Sequence, residues 1–329
     1  MEDIDGIELF AGAGGLALGL EKSGIKNEAL VEIDHTACET LRTNRPNWNV
    51  IEQDIHSVDF THFKNKIAVV SGGVPCQAFS YAGKKLGFED ERGTLFAEFV
   101  RAVSEITPKM FLFENVVGLL SHDKGRTFRV ILKAFGDIGY DVQYKVLDAS
   151  YFGVAQKRKR LIIIGSRHDL NINFNYPQPE LKQTTLREAL KNVPKSAGIA
   201  YSENKRKVME LVPAGGCWTS LPKDVAEKYM GKSLHSDGGS RGVARRLAWD
   251  EPCLTLTASP SQKITERCHP DETRPLTIRE YARIQSFPDE WVFCGSISQQ
   301  YRQIGNAVPV ELARRVGLAI IEALNKSKG

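Results

Sequence analysis

Three short runs of the chain are apolar at every position or nearly so: Ile67-Ala68-Val69-Val70, Met110-Phe111-Leu112-Phe113 and Leu161-Ile162-Ile163-Ile164. A strand apolar on alternate residues buries one face, whereas a strand apolar throughout buries both. Strands of the second kind belong inside a parallel sheet with helices on either side. Ile7-Glu8-Leu9-Phe10 and Ala29-Leu30-Val31-Glu32-Ile33 are two further short runs, and helical patterns lie between them over 16–23, 95–106 and 127–138. The alternation predicts an α/β, doubly wound fold whose sheet is mainly parallel. After about Pro177 the rhythm changes, with turn signals at Pro213-Ala214-Gly215-Gly216 and Asp237-Gly238-Gly239-Ser240. Helical patterns return over 277–285 and 310–324, and Pro309 is placed to begin the last helix. The expected division is residues 1–190 plus 297–329 for the larger domain and 191–296 for a smaller, loop-rich one.

A chain of 329 residues, 42% hydrophobic and 26% charged, has ordinary globular composition. No apolar run approaches membrane-spanning length, and the acidic start Met1-Glu2-Asp3-Ile4-Asp5 is unlike a signal peptide. The expectation is a cytoplasmic protein with no membrane partner. Six scattered cysteines without a C-x-x-C pair argue against a disulfide framework and a structural zinc site, so no metal is expected. Cys268-His269 is read as an incidental pair. Net charge is only +4, but basic residues cluster at Lys157-Arg158-Lys159-Arg160, at Lys205-Arg206-Lys207 and at Arg241 with Arg245-Arg246. Such clusters are usually solvated faces; three in one half of the chain also suit a polyanion.

Within that frame Cys76 stands out. It follows the run ending at Ser71 through Gly72-Gly73-Val74-Pro75, read as a glycine turn that presents one thiol at the carboxyl edge of the sheet. A lone cysteine is more often a small buried hydrophobe than a nucleophile, so its neighbours must decide. Phe10-Ala11-Gly12-Ala13-Gly14-Gly15 follows the first strand and opens the first helix, where glycines allow a ligand close to the backbone. Glu32 closes the second strand at the place of a ribose-binding acid, and Asp54 follows the third. This set suits an adenosine-containing cofactor without choosing between a dinucleotide and S-adenosylmethionine. Glu114, after Met110-Phe111-Leu112-Phe113, is expected on the same sheet edge as Cys76, or else as a helix-capping glutamate. Strand alternation would aim Arg158 and Arg160 to one side, toward a phosphate or heterocycle carbonyl, unless they merely protect an edge strand.

Taken together and in order, these motifs resemble those of the DNA (cytosine-5)-methyltransferases of bacterial type II restriction-modification systems. The resemblance is carried by Phe10-x-Gly12-x-Gly14, Glu32, Asp54, Pro75-Cys76-Gln77, Glu114-Asn115-Val116, Gln156-x-Arg158-x-Arg160, Arg279-Glu280-x-Ala282-Arg283 and Gly305-Asn306-Ala307-Val308. Gly83-Lys84, Gly87-Phe88-Glu89-Asp90 and Arg92-Gly93-Thr94 are similar to the family's mobile catalytic loop. The likeness spans residues 7–165 and 274–320.

The resemblance implies an S-adenosylmethionine-dependent methyltransferase fold with a target-recognition domain. It implies methyl transfer to C5 of a cytosine flipped out of a short specific duplex sequence, protecting host DNA. Cys76 then resembles the nucleophile that attacks C6, Glu114 the group on N3 and the exocyclic amine, and Arg160 the contact to the base carbonyl, supported by Arg158. Phe10, Gly12, Gly14, Glu32, Ile33, Asp54, Ile55, Pro75, Asn306 and Ala307 resemble the S-adenosylmethionine pocket. Ser80, Lys84, Arg92, Ser240, Arg241 and the pair Thr255-Leu256 are the implied DNA contacts. The implied partner is double-stranded DNA, met by a monomer that works alongside a restriction endonuclease without a stable complex. The chain departs from the pattern at Val74, where many relatives have proline or phenylalanine, and at Ala82, where some use serine to fill the gap left by the base. An RNA cytosine methyltransferase, a dinucleotide oxidoreductase built on Gly12, Gly14 and Glu32, a thiol hydrolase pairing Cys76 with a histidine such as His122, and a non-catalytic DNA-binding regulator are the competing readings.

Overall fold

The computed structural model describes residues 4–75, 95–231, 234 and 242–327. The chain forms two compact units, Met1–Ala149 with Lys159–Pro179 and Val308–Gly329, and Ser150–Arg158 with Glu180–Ala307. The strands are β1 (Ile4–Leu9), β2 (Ile25–Glu32), β3 (Val50–Glu52), β4 (Val69–Gly73), β5 (Met110–Val116), β6 (Tyr140–Asp148), β7 (Gln156–Lys157), β8 (Lys159–Arg167) and β9 (Cys253–Leu254). The helices are α1 (Gly15–Ser23), α2 (His35–Asn44), α3 (Leu95–Ile106), α4 (Arg126–Asp137), α5 (Leu186–Ala189), α6 (Glu203–Glu210), α7 (Lys223–Met230), α8 (Ile278–Ile284), α9 (Ile297–Asn306) and α10 (Val310–Lys326).

The first unit carries a seven-stranded sheet in the order β3-β2-β1-β4-β5-β8-β6. Strands β3, β2, β1, β4 and β5 run parallel, and β8 lies antiparallel between β5 and β6. The chain winds outward from β1 to β3 and then crosses to β4, so the order reverses between β1 and β4. In open α/β sheets ligands bind at the carboxyl ends of the strands at this reversal. The sequence therefore anticipated the mixed, mainly parallel, doubly wound sheet. It did not anticipate β6, whose Asp141, Gln143 and Lys145 break the apolar run that marks interior strands. Only one neighbour, β8, covers this edge strand.

One face of the sheet carries α3 and α4. Phe96, Phe99, Ala102, Val103 and Ile106 recur at helical spacing on α3, as do Phe128, Ile131 and Phe135 on α4. They pack on Ile7, Leu9, Val70, Phe111 and Phe113. The aromatic rings meet mostly edge-on, Phe99 and Phe113 at 5.1 Å and 88°. On the other face Leu30 packs with Ala17 of α1 and Leu41 of α2. There α10 crosses α1 at Gly19, where a Cβ would collide with Ala313 and the Val310 carbonyl. Gly165 of β8 is equally constrained, because a Cβ there would strike the Phe111 ring. Gly165→Ala is expected to cost about 1–3 kcal/mol through overpacking, about 2–4 °C of melting temperature per kcal/mol. An unchanged thermal midpoint would contradict that packing.

The second unit holds its own small parallel ladder, β7 with β9, and the helices α5 to α9. Its boundaries correct those expected from sequence. Segments 180–190 and 297–307 belong to it, and so does Ser150–Arg158. The reason is hydrogen bonding: Tyr151 and Ser150 carbonyls accept from Glu180 and Thr184, and the Ala155 carbonyl accepts from Cys253. Helix α9 is held by Tyr301, whose hydroxyl donates to the Leu276 carbonyl at 2.6 Å. The motif Arg279-Glu280-x-Ala282-Arg283 proves to be bracing. Arg279 donates to the Pro288 and Trp291 carbonyls, Glu280 accepts from Arg274 and caps α8, and Arg283 pairs with Asp289. Among the described residues no helix is long and apolar enough to cross a membrane.

Candidate active site

The loop after β1 is built for close approach. Phe10, Gly12 and Gly14 all have positive φ, at 58°, 53° and 82°. Glycine tolerates this region, whereas Phe10 stores backbone strain there, as residues at binding sites often do. The carboxylate of Glu32 fixes the loop, with Oε2 accepting from the Gly12 amide at 2.7 Å. Its Oε1 accepts from the Ile33 and Asp34 amides, each at 2.8 Å. Helix α1 starts at Gly14 without a side-chain cap, leaving its first amides open to a ligand. Beside them Ile33 is 66% exposed, an apolar surface at the end of β2. Asp54 accepts from the backbone and ring of His56, and that ring holds its carboxyl below the usual range.

Ile55, next to Asp54, is buried. Its side chain is 4% exposed within the core and its carbonyl accepts from Arg101.

The second half of the site lies across β4 and β5. Gly72 and Gly73 are not a turn, as expected, but the last two residues of β4, paired in register with Phe113 and Glu114. A Cβ on Gly72 would lie 2.7 Å from the Leu9 carbonyl oxygen, so glycine is what lets β4 sit against β1. A Cβ on Gly73 would lie 2.9 Å from Glu114 Oε2. Glu114 is likewise within β5 rather than after it. Its Oε1 forms an ion pair with Arg160 Nε at 2.6 Å, with both side chains 11% exposed. Register explains the meeting, since Val116 faces Arg160 across the antiparallel β5–β8 pair. Next to it, buried Asn115 donates from Nδ2 to the Val74 carbonyl at 3.0 Å, continuing the β4–β5 link past the end of the ladder. That tether reaches the residue before exposed Pro75. Sequence reading quoted Asn115 in a motif but assigned it nothing.

Cys76, Ser80, Lys84, Arg92, Ser240 and Arg241 lie outside the described residues. Arg158 does not share a side with Arg160. It falls between β7 and β8, is 2% exposed, and its guanidinium donates to the Leu256, Gly305 and Ala307 carbonyls within the second unit. A short break between two strands replaces the continuous strand on which the expected alternation depended. Thr255 and Leu256 are also inward: the Thr255 hydroxyl donates to the Lys157 carbonyl at 2.7 Å, and Leu256 is 1% exposed. Both positions, expected as DNA contacts, make internal bonds. Asn306 is exposed at the end of α9, and the Ala307 carbonyl accepts from Arg158 and Gln285. His122, the histidine of the hydrolase reading, is bonded to Thr127. Burial pushes the Cys38 and Cys253 thiols up to about 12, which removes them as nucleophiles.

The family model for C-5 cytosine-specific DNA methylases matches residues 4–322. The chain belongs to this family. Among similar proteins, the Type II methyltransferase M.Eco47II of Escherichia coli is 56% identical over 330 residues, covering 97% of this chain and 79% of the relative. M.Sau96I of Staphylococcus aureus, also a Type II methyltransferase, is 55% identical over 332 residues, covering 99% and 77%. A crystal structure from an E. coli prophage, described as a DNA modification methyltransferase, aligns over 98% of this chain and 99% of its own. Its TM-score is 0.72 and its identity 26%. The Spodoptera frugiperda DNMT2 structure, 17% identical with a TM-score of 0.66 over 97% and 99% of the two chains, shares the fold.

This cytosine-5 DNA methylase family uses S-adenosylmethionine, and the first unit fits such a ligand. The uncapped α1 terminus, the Glu32 carboxylate and exposed Ile33 supply polar and apolar surfaces at the sheet's reversal. Glu8 of β1 is a buried acid with a testable pH signature. It is 2% exposed and its Oε2 has no hydrogen-bond partner among the described residues. Burial first, and the Glu32 carboxylate second, raise its pKa well above the carboxylate range. Because the folded state holds this proton more tightly, Glu8 stabilises most at acid pH, and that contribution fades as pH rises through the raised pKa. Glu8→Gln should therefore raise the melting temperature of the ligand-free protein progressively more from pH 5 to pH 8. A difference independent of pH would refute the protonated, buried Glu8. No group of three potential metal ligands occurs among the described residues.

Proposed function

We propose that the enzyme methylates C5 of a cytosine flipped out of a short specific duplex sequence, through a covalent bond between Cys76 and C6. The observation that carries this reading is the Glu114–Arg160 pair, held at the strand ends beside Gly73 and the tethered Val74. One carboxylate oxygen is fixed by Arg160, while Oε2 has no hydrogen bond among the described residues. Oε2 can therefore take the N3 and amino edge of cytosine, with Arg160 close by for the base carbonyl.

Cytosine C5 is a weak nucleophile. Addition of the Cys76 thiolate to C6 forms a C–S bond and places the displaced electron pair at C5. Stabilising N3 lowers the barrier to that addition. S-adenosylmethionine held by the first unit would supply the methyl group that C5 takes, its S–CH3 bond breaking to leave S-adenosylhomocysteine. Loss of the C5 proton then restores the ring double bond and expels the thiolate. Since C5 and C6 are inaccessible in a stacked duplex, the base must leave the helix at a cost of about a few kcal/mol. Phe10, Gly12, Gly14, Glu32, Ile33, Asp54 and Pro75 are proposed to hold the cofactor. Asn306 and Ala307 are assigned to the same role on the family pattern alone, and Arg158 is proposed to support the site through its backbone clamp. Target recognition is proposed for the second unit. The proposed setting is cytoplasmic, as a monomer protecting host DNA against a separate endonuclease.

Two experiments test this. Expression in a host lacking the modification, followed by genome-wide mapping of 5-methylcytosine, should return one short recurrent sequence. A duplex carrying that sequence with 5-fluorocytosine at the target should then trap the protein covalently in the presence of S-adenosylmethionine, with the adduct mapped to Cys76. Methylation without trapping, or trapping at another residue, would sink the covalent mechanism.

A further inference from the structure

We propose that the loop between Thr257 and Glu266 reads DNA base edges through Gln262 and Ile264. The inference rests on the DNA substrate proposed above and assigns part of its specificity. The basic clusters of this unit are divided: Arg246 turns inward, whereas Arg206 and Lys207 are exposed on α6. Arg246 is 5% exposed and binds the Met209, Val212 and His269 carbonyls, while Arg206 and Lys207 pair with Glu210 and Glu203 on α6.

At 257–266 the unit uses buried charges to shape a loop. Lys205 donates to the Ser261 carbonyl at 2.6 Å and pairs with Glu266, which is 0% exposed. The Arg267 amide donates to the Pro260 carbonyl at 2.9 Å, and its guanidinium holds the Thr255 carbonyl at 2.6 Å. The Thr257 and Thr265 hydroxyls meet at 3.1 Å. Together these bonds tie both ends and the middle of the loop to the rest of the unit.

The tip is outward. Lys263 lies back over the Tyr229 ring at 5.5 Å and donates to the Met230 carbonyl. Gln262 and Ile264 are exposed, Ile264 by 63%. Gln262 Oε1 accepts from the Thr265 hydroxyl at 3.2 Å, so its NH₂ group is the outward donor. Single exposed aliphatics are common on surfaces. This one stands on a braced loop beside an oriented amide, and its carbonyl is packed so closely on Gly242 that a Cβ there would collide. Gly242 directly follows Ser240 and Arg241, the sequence candidates for DNA contact. A fixed donor next to an aliphatic group matches a major-groove edge, the amide on purine N7 or O6 and Ile264 against a pyrimidine C5 position.

The test uses the target sequence from the methylation map. Ile264→Ala and Gln262→Ala are assayed on the target duplex and on duplexes changed one base pair at a time. Each variant should lose about 5- to 150-fold of its preference for the correct pair at one position. Cofactor affinity and melting temperature should not change. Leu211→Ala, another exposed aliphatic of the same unit, should leave specificity intact. Full preference at every position in both loop variants would overturn the proposal. Failure of the wild type to methylate any duplex would instead strike the DNA activity itself.

Discussion

Glu114→Gln is expected to lower kcat/KM for methyl transfer by about 10²–10⁴-fold, the usual range for a positioned acid–base group. Glutamine keeps the shape of the side chain and an oxygen that can still accept from Arg160. What it loses is the charge and the proton-exchanging oxygen at Oε2, the atom turned toward Gly73 and free of other bonds among the described residues. The loss should appear in single-turnover rates on the target duplex, with cofactor affinity close to wild type. A change of less than about threefold would remove Glu114 from the chemistry and leave the Arg160 pair a structural feature. Gly73→Ala offers a geometric counterpart. Its Cβ would lie 2.9 Å from Oε2, so the carboxylate would have to shift with no change in its chemistry.

The fold was legible because interior parallel strands carry their own signature, runs apolar on both faces between amphipathic helices. Where a strand lies at the edge that signature fails, and β6, with Asp141, Gln143 and Lys145, went unread. The site was legible as an ordered set of motifs, but motifs do not say which way a side chain turns. Arg158 and Arg160 are two residues apart, yet a break between β7 and β8 sends one to the Leu256 and Gly305 carbonyls and the other to Glu114. Basic clusters mislead for the same reason: Arg246 reads as surface charge and is buried among carbonyls. Thr255 and Leu256 are likewise held by partners far away in sequence, the Lys157 carbonyl and the Gln156 side chain. Ile55 was placed by its neighbour Asp54, but core packing takes its side chain. Conversely, Gly72 and Gly73 looked like a turn because glycine has two uses. Here the use is close approach, which only the register with Leu9 and Glu114 reveals.

Arg160→Ala should be damaging in a second way, through stability as well as rate. Its partner Glu114 is left with a carboxylate in a site where both side chains are only 11% exposed. Removing one member of a buried pair costs about 3–5 kcal/mol, chiefly because the other charge stays without compensation. For a unit of this size that corresponds to a fall of roughly 6–20 °C in melting temperature. The double variant Arg160→Ala with Glu114→Gln removes the stranded charge. It should regain much of the lost melting temperature while remaining as inactive as the worse single variant. That split separates the two roles of the pair, because a purely structural salt bridge would recover activity along with stability. If the double variant is instead less stable than Arg160→Ala alone, Glu114 is not a burdened charge in that background, and the pair's contribution lies in packing rather than electrostatics.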